Sequence, residues 1–146
     1  MESVDVIILT KNSDRLLSVC LKSVYENVPV NNLIVIDAFS TDNTLKILDE
    51  FNTKYGNVKI IRESGSRGKA RERGIREVET EWFMFVDSDV VLCKDWFKNA
   101  GRQIREDVGA IWGVDLPGDV ESKFMSRLLQ WMEARTFDIR GGCHDI

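Results

Sequence analysis

The chain has 146 residues, of which 43% are hydrophobic and 30% are charged, and its formal net charge is -4 at pH 7. This length and composition are typical of one globular domain with a core of its own, and they exclude an extensively disordered chain. The negative net charge argues against a general affinity for nucleic acid, so no nucleic-acid partner is expected.

Signals for membrane insertion, secretion or disulfide bonding are missing from the sequence. No apolar run approaches the roughly 20 residues of a membrane-spanning helix, and the N-terminal residues show no basic region and cleavage site of a signal peptide. The three cysteines, Cys20, Cys93 and Cys143, are far apart and form no CxxC pair. Their spacing argues against a disulfide framework and against a zinc site, and it predicts a cytoplasmic location.

The first half of the chain predicts short strands that alternate with helices. Val4–Leu9 is a brief β-branched apolar run, which predicts a strand. Asp14 is placed to cap the helix that follows, whose apolar residues recur at helical spacing. Leu33–Ile36 predicts a second strand, and a second helix is predicted to start within Ser40–Asp42 and to stop at Gly56–Asn57.

The second half continues this alternation. A glycine-containing basic stretch, Glu63–Val78, is predicted to be helical in its second half. The other predicted elements are strands at Val58–Ile61, Trp82–Val86 and Val108–Val114, helices at Trp96–Ile104 and about Glu121–Arg135, and a turn at Leu116–Asp119. The alternation predicts a mostly parallel sheet with helices on both faces.

Polar segments follow the first four predicted strands. In a parallel sheet, ligands bind at the carboxyl ends of the strands, where the strand order switches. The segments are Thr10–Asn12, Asp37, Gly65–Arg73 and Asp87–Asp89. Because they come from separate places in the chain and converge on one edge of the sheet, we interpret them as a candidate ligand site.

Asp87 and Asp89 lie directly after an apolar run, with only Ser88 between them. If a turn brings both carboxylates to one point, they suit Mg²⁺ or Mn²⁺, whose other positions are filled by water and phosphate. The alternative is that Asp89 or Asp95 caps the next helix. A bare Asp-x-Asp pattern is common, so the pattern alone leaves both interpretations open.

The basic stretch carries several cations beside flexible backbone, namely Arg67, Lys69, Arg71 and Arg73. Such groups can contact a diphosphate. Their spacing matches neither of the common glycine-rich phosphate loops. The alternative is a solvated basic helix face that neighbouring glutamates balance, as expected for Arg73 and Arg76.

Four segments together resemble the N-terminal nucleotide-sugar-binding portion of family-2 glycosyltransferases, which have the GT-A fold. The segments are VDVIILTKN (4–12), VIDAFSTDNT (35–44), GKARERGI (68–75) and FVDSDV (85–90), and they follow the family's order and approximate spacing. The resemblance implies an α/β, Rossmann-like three-layer sandwich. It also implies inverting transfer of a sugar from a UDP- or GDP-linked donor, with Mg²⁺ or Mn²⁺ as cofactor.

The resemblance further implies roles for individual residues. Asp37 would bind the base or the ribose, and Asp89 would coordinate the ion that bridges the diphosphate. The implied nucleotide-binding residues are Thr10, Asn12, Asp37, Lys69, Arg71, Asp87 and Ser88. The implied metal ligands are Asp87, Asp89 and His144, although a lone histidine can equally be a solvated side chain.

Some positions depart from the family's pattern. Ala38 and Phe39 stand where the family often has Asp-Gly, and Glu72 stands where it often has Asn. These departures bear on nucleotide specificity. An inverting displacement also needs a base that deprotonates the acceptor hydroxyl, and no residue is identifiable as that base, since no pattern singles out Asp138 or Asp145.

The C-terminal residues RGGCHDI (140–146) resemble the start of the strand that opens the acceptor-binding half of the family. We therefore expect residues 1–146 to form a single nucleotide-sugar-binding domain without the C-terminal acceptor-binding part. The apolar stripe Phe124–Met132 either packs against the domain or lies on a membrane surface, where it would receive a lipid-linked acceptor. A polysaccharide is the alternative to a lipid-linked acceptor.

Two further functions stay open at this point. A nucleotidyltransferase shares the Rossmann-like sheet and acidic metal ligands, but its glycine- and lysine-rich loop after the first strand is replaced here by Thr10–Asn12. A non-catalytic module that binds a nucleotide sugar is favoured by the unidentified base.

Overall fold

The computed structural model describes residues 3–113. Within that range the chain forms four strands and four helices, and each strand is followed by a helix. They are β1 (Val4–Thr10), α1 (Asp14–Asn27), β2 (Val30–Asp37), α2 (Thr44–Tyr55), β3 (Val58–Arg62), α3 (Arg67–Ile75), β4 (Phe83–Phe85) and α4 (Trp96–Gly101). The chain divides after Gly109 into two units, and these elements all belong to the first.

The four strands form one sheet in the order β3-β2-β1-β4, and neighbouring strands are parallel in each of the pairs. The chain builds the sheet outward from β1 to β3 and then returns to add β4 on the other side of β1. The strand order therefore switches between β1 and β4, and a crevice is expected at their carboxyl ends. The predicted parallel α/β sheet is confirmed.

The central strands are buried on both faces, as their uninterrupted apolar sequences predict. Alternate residues point to opposite sides, so Val6 and Ile8 pack in a core with α1 and α2. On the other side, Ile7 packs in a smaller core with Ala70 of α3 and Val78. The sheet thus has α1 and α2 on one face and α3 on the other, which is the predicted three-layer arrangement.

Gly74 allows α3 to lie close to the sheet. A Cβ atom at this position would stand 2.7 Å from Cγ2 of Ile7 and 3.5 Å from Cγ1 of Ile36. The first distance is shorter than any ordinary van der Waals contact, so a glycine is required for this approach. The residues of α3 that precede Gly74 are thereby held near the carboxyl ends of the strands.

Several predicted boundaries were wrong by a few residues. Asp14 is the first residue of α1 and not its cap, since Ser13 occupies the N-cap position. The second helix begins at Thr44, after the predicted start, because the preceding residues form a loop that binds the β1–α1 connection. Helix α3 begins at Arg67, earlier than predicted, because the Ser66 side chain caps it by accepting a hydrogen bond from the Lys69 N–H.

The predicted fifth strand, Val108–Val114, was also wrong for the part that lies within the described range. Residues 108–113 form no strand. Gly109 interrupts this run, and a glycine in a strand interior adds backbone entropy without a side chain to pack. The predicted turn at Leu116–Asp119 and the predicted helix at about Glu121–Arg135 lie outside the described residues.

None of the helices in residues 3–113 combines the length and the apolar character needed to cross a membrane.

Candidate active site

The candidate site lies along the carboxyl ends of the strands. Thr10 ends β1, Asp37 ends β2 and Arg62 ends β3, and these residues are aligned as register partners across the sheet. Beyond the end of β4, the Val86 N–H donates to the Ile7 carbonyl oxygen at 3.0 Å, which keeps the chain beside β1 up to Asp87. Three of the four polar segments predicted from the sequence are therefore brought to one edge of the sheet, and the fourth, Gly65–Arg73, begins three residues after the end of β3.

Asp37 is fully buried at the base of this edge. Its Oδ1 accepts hydrogen bonds from the Thr10 hydroxyl at 3.0 Å and from the Ser40 hydroxyl at 2.5 Å. Its Oδ2 accepts the Ser40 N–H at 2.9 Å. Because both carboxylate oxygens already have protein donors, the structure favours a role in shaping the loop after β2, and a direct contact of Asp37 with a nucleotide stays a prediction.

The loops after β1 and β2 are joined by hydrogen bonds, and we call residues 11–14 and 40–44 the braced loops. The Asn12 N–H donates to Ser40 Oγ, and Asn12 Oδ1 accepts the Thr41 N–H, both at 2.9 Å. The Ser13 N–H donates to Thr44 Oγ1 at 2.9 Å. The side chain of Asn12 thus binds the neighbouring loop, and the site is shaped before any ligand arrives.

Sequence reasoning did not assign Ser13, Ser40 and Thr44 to the site. The available signal was the density of short polar side chains in TKNSD (10–14) and STDNT (40–44), since such side chains readily bond nearby backbone groups. The pairing of the two loops is not readable locally, because the partners are about 30 positions apart.

Asp87, Ser88 and Asp89 form a turn after β4. The Val90 N–H donates to the Asp87 carbonyl oxygen at 3.0 Å, and both aspartate side chains are exposed. Ser88 Oγ donates to Ser13 Oγ at 3.1 Å, which joins this turn to the braced loops. Two exposed carboxylates are thereby held at the edge where the strand order switches.

The structure rejects the alternative that Asp89 caps the next helix. Helix α4 begins at Trp96, and Asp95 occupies its N-cap position. Asp95 has a left-handed backbone with φ 62° and makes no side-chain capping bond. Asp89 lies well before this position, so its carboxylate is available to a ligand.

The described residues supply only part of the coordination shell of a divalent cation. Within residues 3–113 there is no cluster of three or more His, Cys, Asp and Glu side chains that could enclose a metal ion. Asp87 and Asp89 would supply oxygen ligands, and Mg²⁺ or Mn²⁺ commonly takes its remaining positions from water and substrate phosphates. The third predicted ligand, His144, lies outside the described residues.

The basic residues of α3 divide into two groups. Arg73 pairs with Glu77, and Arg76 pairs with Glu72, which is the solvated helix face expected for them. Lys69 Nζ lies 3.0 Å from Glu63 Oε1, just after β3.

Arg71, in contrast, reaches towards β4. Its guanidinium carbon lies 5.9 Å from the centre of the Phe85 ring. Phe85 is two residues before Asp87, so the structure brings Arg71 to the side of the sheet that carries the Asp87–Asp89 turn. A cation at this position is suited to an anionic ligand held by that turn.

Cys20 of α1 lies beneath the same turn. Its thiol is buried and donates to the Asp87 carbonyl oxygen at 3.5 Å. Burial, together with the negative charges of Asp89 and Asp87, raises the pKa of Cys20 to about 12. This thiol is therefore a packed structural group and not a nucleophile.

Comparison with known proteins identifies relatives for most of the chain. The family model described as glycosyl transferase family 2 matches residues 5–143. The poly(ribitol-phosphate) beta-glucosyltransferase of Bacillus spizizenii is 32% identical over 133 residues, covering 83% of this chain and 21% of the relative. The poly(ribitol-phosphate) beta-N-acetylglucosaminyltransferase TarS of Staphylococcus aureus is 33% identical over 112 residues, covering 73% of this chain and 19% of TarS. The chain thus spans about a fifth of the length of these curated relatives.

Solved structures confirm the Rossmann-like GT-A fold. A TarS fragment in complex with UDP superposes with a TM-score of 0.60 and 29% identity, covering 69% of this chain and 31% of the fragment. The mannosyltransferase PcManGT from Pyrobaculum calidifontis, in complex with GDP-Man and Mn²⁺, superposes with a TM-score of 0.69 and 26% identity. That match covers 80% of this chain and 36% of PcManGT.

Proposed function

Because the chain belongs to glycosyl transferase family 2, we propose that it binds a nucleotide-diphosphate sugar at the carboxyl ends of its strands and transfers the sugar to an acceptor hydroxyl. The observation that carries this proposal is the Asp87–Asp89 turn, which holds two exposed carboxylates at the switch in strand order. The braced loops adjoin this turn through the Ser88–Ser13 hydrogen bond, and Arg71 supplies a cation against Phe85, two residues before the turn. A nucleoside diphosphate needs such a combination of groups, since it is both polar and strongly anionic.

Divalent-metal dependence is part of the proposal. Asp89, with Asp87, would hold Mg²⁺ or Mn²⁺, and the ion would stabilise the negative charge that builds up on the departing diphosphate. The structure of PcManGT in complex with GDP-Man and Mn²⁺ supports this choice. Arg71 would add to the charge stabilisation, and Lys69 would do so after exchanging its partner Glu63 for a phosphate oxygen.

Inverting transfer is also proposed, and it requires a general base for the acceptor hydroxyl. Asp37 is buried and saturated by Thr10 and Ser40, and Glu63 is paired with Lys69. These two acidic residues are therefore engaged structurally. We accordingly assign donor binding and leaving-group stabilisation to residues 3–113, and we do not assign the removal of the acceptor proton to Asp37 or Glu63.

The acceptor proposed is a hydroxyl-bearing polymer. Two relatives are named for transfer to poly(ribitol-phosphate), and both share more than 30% identity with this chain. We also propose a cytoplasmic, membrane-peripheral site of action, since the widely spaced cysteines fit a reducing compartment and the apolar stripe Phe124–Met132 suits a membrane surface. A lipid-linked precursor of the same polymer is the other form of acceptor that fits this location.

Calorimetric titration of UDP and GDP, with and without Mn²⁺, tests the donor site directly. Wild type is expected to bind at least one of these nucleotides only when Mn²⁺ is present. Asp89→Ala is expected to lose at least tenfold in affinity, because it removes a charged oxygen ligand. Asp49→Ala serves as the matched control, since Asp49 is an exposed aspartate on α2 and is expected to leave binding unchanged. Equal affinity without Mn²⁺ would contradict the metal proposal, and failure to bind any nucleotide would overturn the proposed function.

A further inference from the structure

Phe39 combines two features that do not serve packing. It lies two residues after the end of β2, and 52% of its surface is exposed. Its backbone is left-handed, with φ 55°. A bulky side chain in this conformation costs free energy that a glycine would not, and an exposed aromatic ring recovers little of that cost by burial. Bulky residues held this way are found preferentially at functional sites.

The ring of Phe39 is also held in a defined place. Arg62, at the end of β3, has its guanidinium carbon 5.6 Å from the centre of the ring. The backbone on both sides is fixed, because Asp37 accepts hydrogen bonds from the N–H and the hydroxyl of Ser40. Ser40 in turn binds the Asn12 N–H. The ring therefore stands beside the braced loops on a hydrogen-bonded backbone, with about half of its surface open.

The order of the strands sets the order of the groups along the sheet edge. From one side to the other the edge carries Arg62, Phe39, Asn12 and Asp87, at the ends of β3, β2, β1 and β4. Two strand spacings, or about 10 Å, separate the end of β2 from the end of β4. A nucleoside diphosphate whose diphosphate lay at Asp87–Asp89 would place its base near Phe39 if it extended along this edge towards β2.

We propose that Phe39 and Arg62 form a stacking platform for the nucleobase of the donor. This inference rests on the proposed function and names a contact on which the binding of the base depends. Aromatic rings and guanidinium planes stack on any base, because every base has a π face. The platform therefore contributes affinity for the nucleoside and does not by itself choose between uracil and guanine.

The platform is tested by comparing a ligand with a base to one without. Mn²⁺-dependent binding of UDP, GDP and inorganic pyrophosphate is measured by calorimetry on wild type, Phe39→Leu and Phe39→Tyr. Phe39→Leu keeps an apolar side chain but removes the π face, so affinity for UDP and GDP is expected to fall about tenfold. Its affinity for pyrophosphate is expected to stay within twofold of wild type. Phe39→Tyr keeps the ring and is expected to bind UDP and GDP within twofold of wild type.

A glycine variant tests whether a loss of affinity in Phe39→Leu comes from misfolding of the loop. Phe39→Gly accepts the left-handed backbone without strain, so it is expected to fold and to show the same selective loss as Phe39→Leu. Unchanged UDP and GDP affinity in both variants, or an equal loss for pyrophosphate, would overturn the platform while leaving the donor site intact. If wild type binds neither nucleotide, the proposed function fails and the platform fails with it.

Discussion

Asp5 shows how much a single buried carboxylate can organise. It is fully buried at the start of β1, at the opposite end of the sheet from the candidate site. Its Oδ1 accepts the Asn31 side-chain amide at 2.9 Å and the Asn32 N–H at 3.0 Å, and its Oδ2 accepts the N–H groups of Glu79 at 2.6 Å and Thr80 at 3.1 Å. One side chain therefore joins β1 to the start of β2 and to the segment before β4.

Replacement of Asp5 by Asn is expected to lower the free energy of unfolding by about 2 kcal/mol. The variant loses the charge that strengthens these hydrogen bonds, and it places an amide donor against protein donors. Urea unfolding at pH 7 checks the change, with Asp49→Asn as the exposed control. Equal unfolding midpoints for wild type and Asp5→Asn would contradict this role.

The pH dependence of stability follows from the same contacts. Burial alone would raise the pKa of Asp5, but the hydrogen bonds from Glu79, Asn31, Asn32 and Thr80 outweigh it and hold the pKa below 3.8. The ionised form is thus favoured in the folded state. The stabilisation is fully present above pH 3.8 and is lost as the pH falls through the lowered folded pKa. In Asp5→Asn, the acid-induced loss of stability is therefore expected to be smaller than in wild type.

The sequence shows which residues could be assigned in advance and which could not. Asp87 and Asp89 were recognisable as candidate ligands, because they follow an apolar run in a βα alternation. Asp5 has no comparable local signal, since its donors come from residues more than 25 positions away. The contacts of Asp37 were equally unreadable, because its Oδ1 accepts the hydroxyl of Thr10, which lies 27 positions earlier in the chain. Long-range hydrogen bonding separates the predictable part of the site from the rest.

Helix α3 depends on Gly74 for its position against the sheet. Gly74→Ala places a methyl group 2.7 Å from Cγ2 of Ile7. Overpacking of this kind is expected to lower the free energy of unfolding by about 1–3 kcal/mol, even though alanine favours a helix more than glycine does. The displaced helix is also expected to weaken nucleotide binding, because it carries Lys69 and Arg71. Chemical unfolding and nucleotide titration measure the two effects.

Gly68 provides a control on the same helix. A Cβ atom there has Ser66 Oγ as its nearest neighbour, at 3.8 Å. Gly68→Ala is therefore expected to be neutral or to stabilise by up to about 1 kcal/mol through helix propensity. If the two alanine variants prove equally stable, close packing of α3 on the sheet is not what requires Gly74.

Element type was more predictable than element extent. The first four strands and first two helices were found where apolar periodicity placed them, because both faces of β1 and β2 are buried. Boundaries depended on caps such as Ser66, which act through particular side-chain geometries. The predicted strand at Val108–Val114 was wrong over residues 108–113, because an apolar run alone does not supply a paired neighbour.

The alkylation rates of the two cysteines in the described range report on global unfolding. Cys20 is buried with its pKa raised to about 12, whereas Cys93 is exposed. Iodoacetamide at pH 8 is expected to modify Cys93 rapidly and to spare Cys20 until the protein unfolds. Peptide mass spectrometry distinguishes the two sites.

A bound nucleotide should protect Cys20 further, since a ligand that binds only the folded state stabilises it by mass action. The alkylation rate of Cys20 in dilute urea is expected to fall when Mn²⁺ and a bound nucleotide are added. Modification of Cys20 at the rate of Cys93 in the absence of urea would show that the core beneath the Asp87–Asp89 turn is open.

The braced loops have a consequence for the speed of donor capture. Residues 11–14 and 40–44 already hold each other through side-chain-to-backbone hydrogen bonds, so neither loop has to become ordered when a nucleotide arrives. The entropic cost of ordering these loops arises during folding and not each time that a nucleotide binds. We therefore expect that ordering of these two loops does not slow the association of the proposed nucleotide donor.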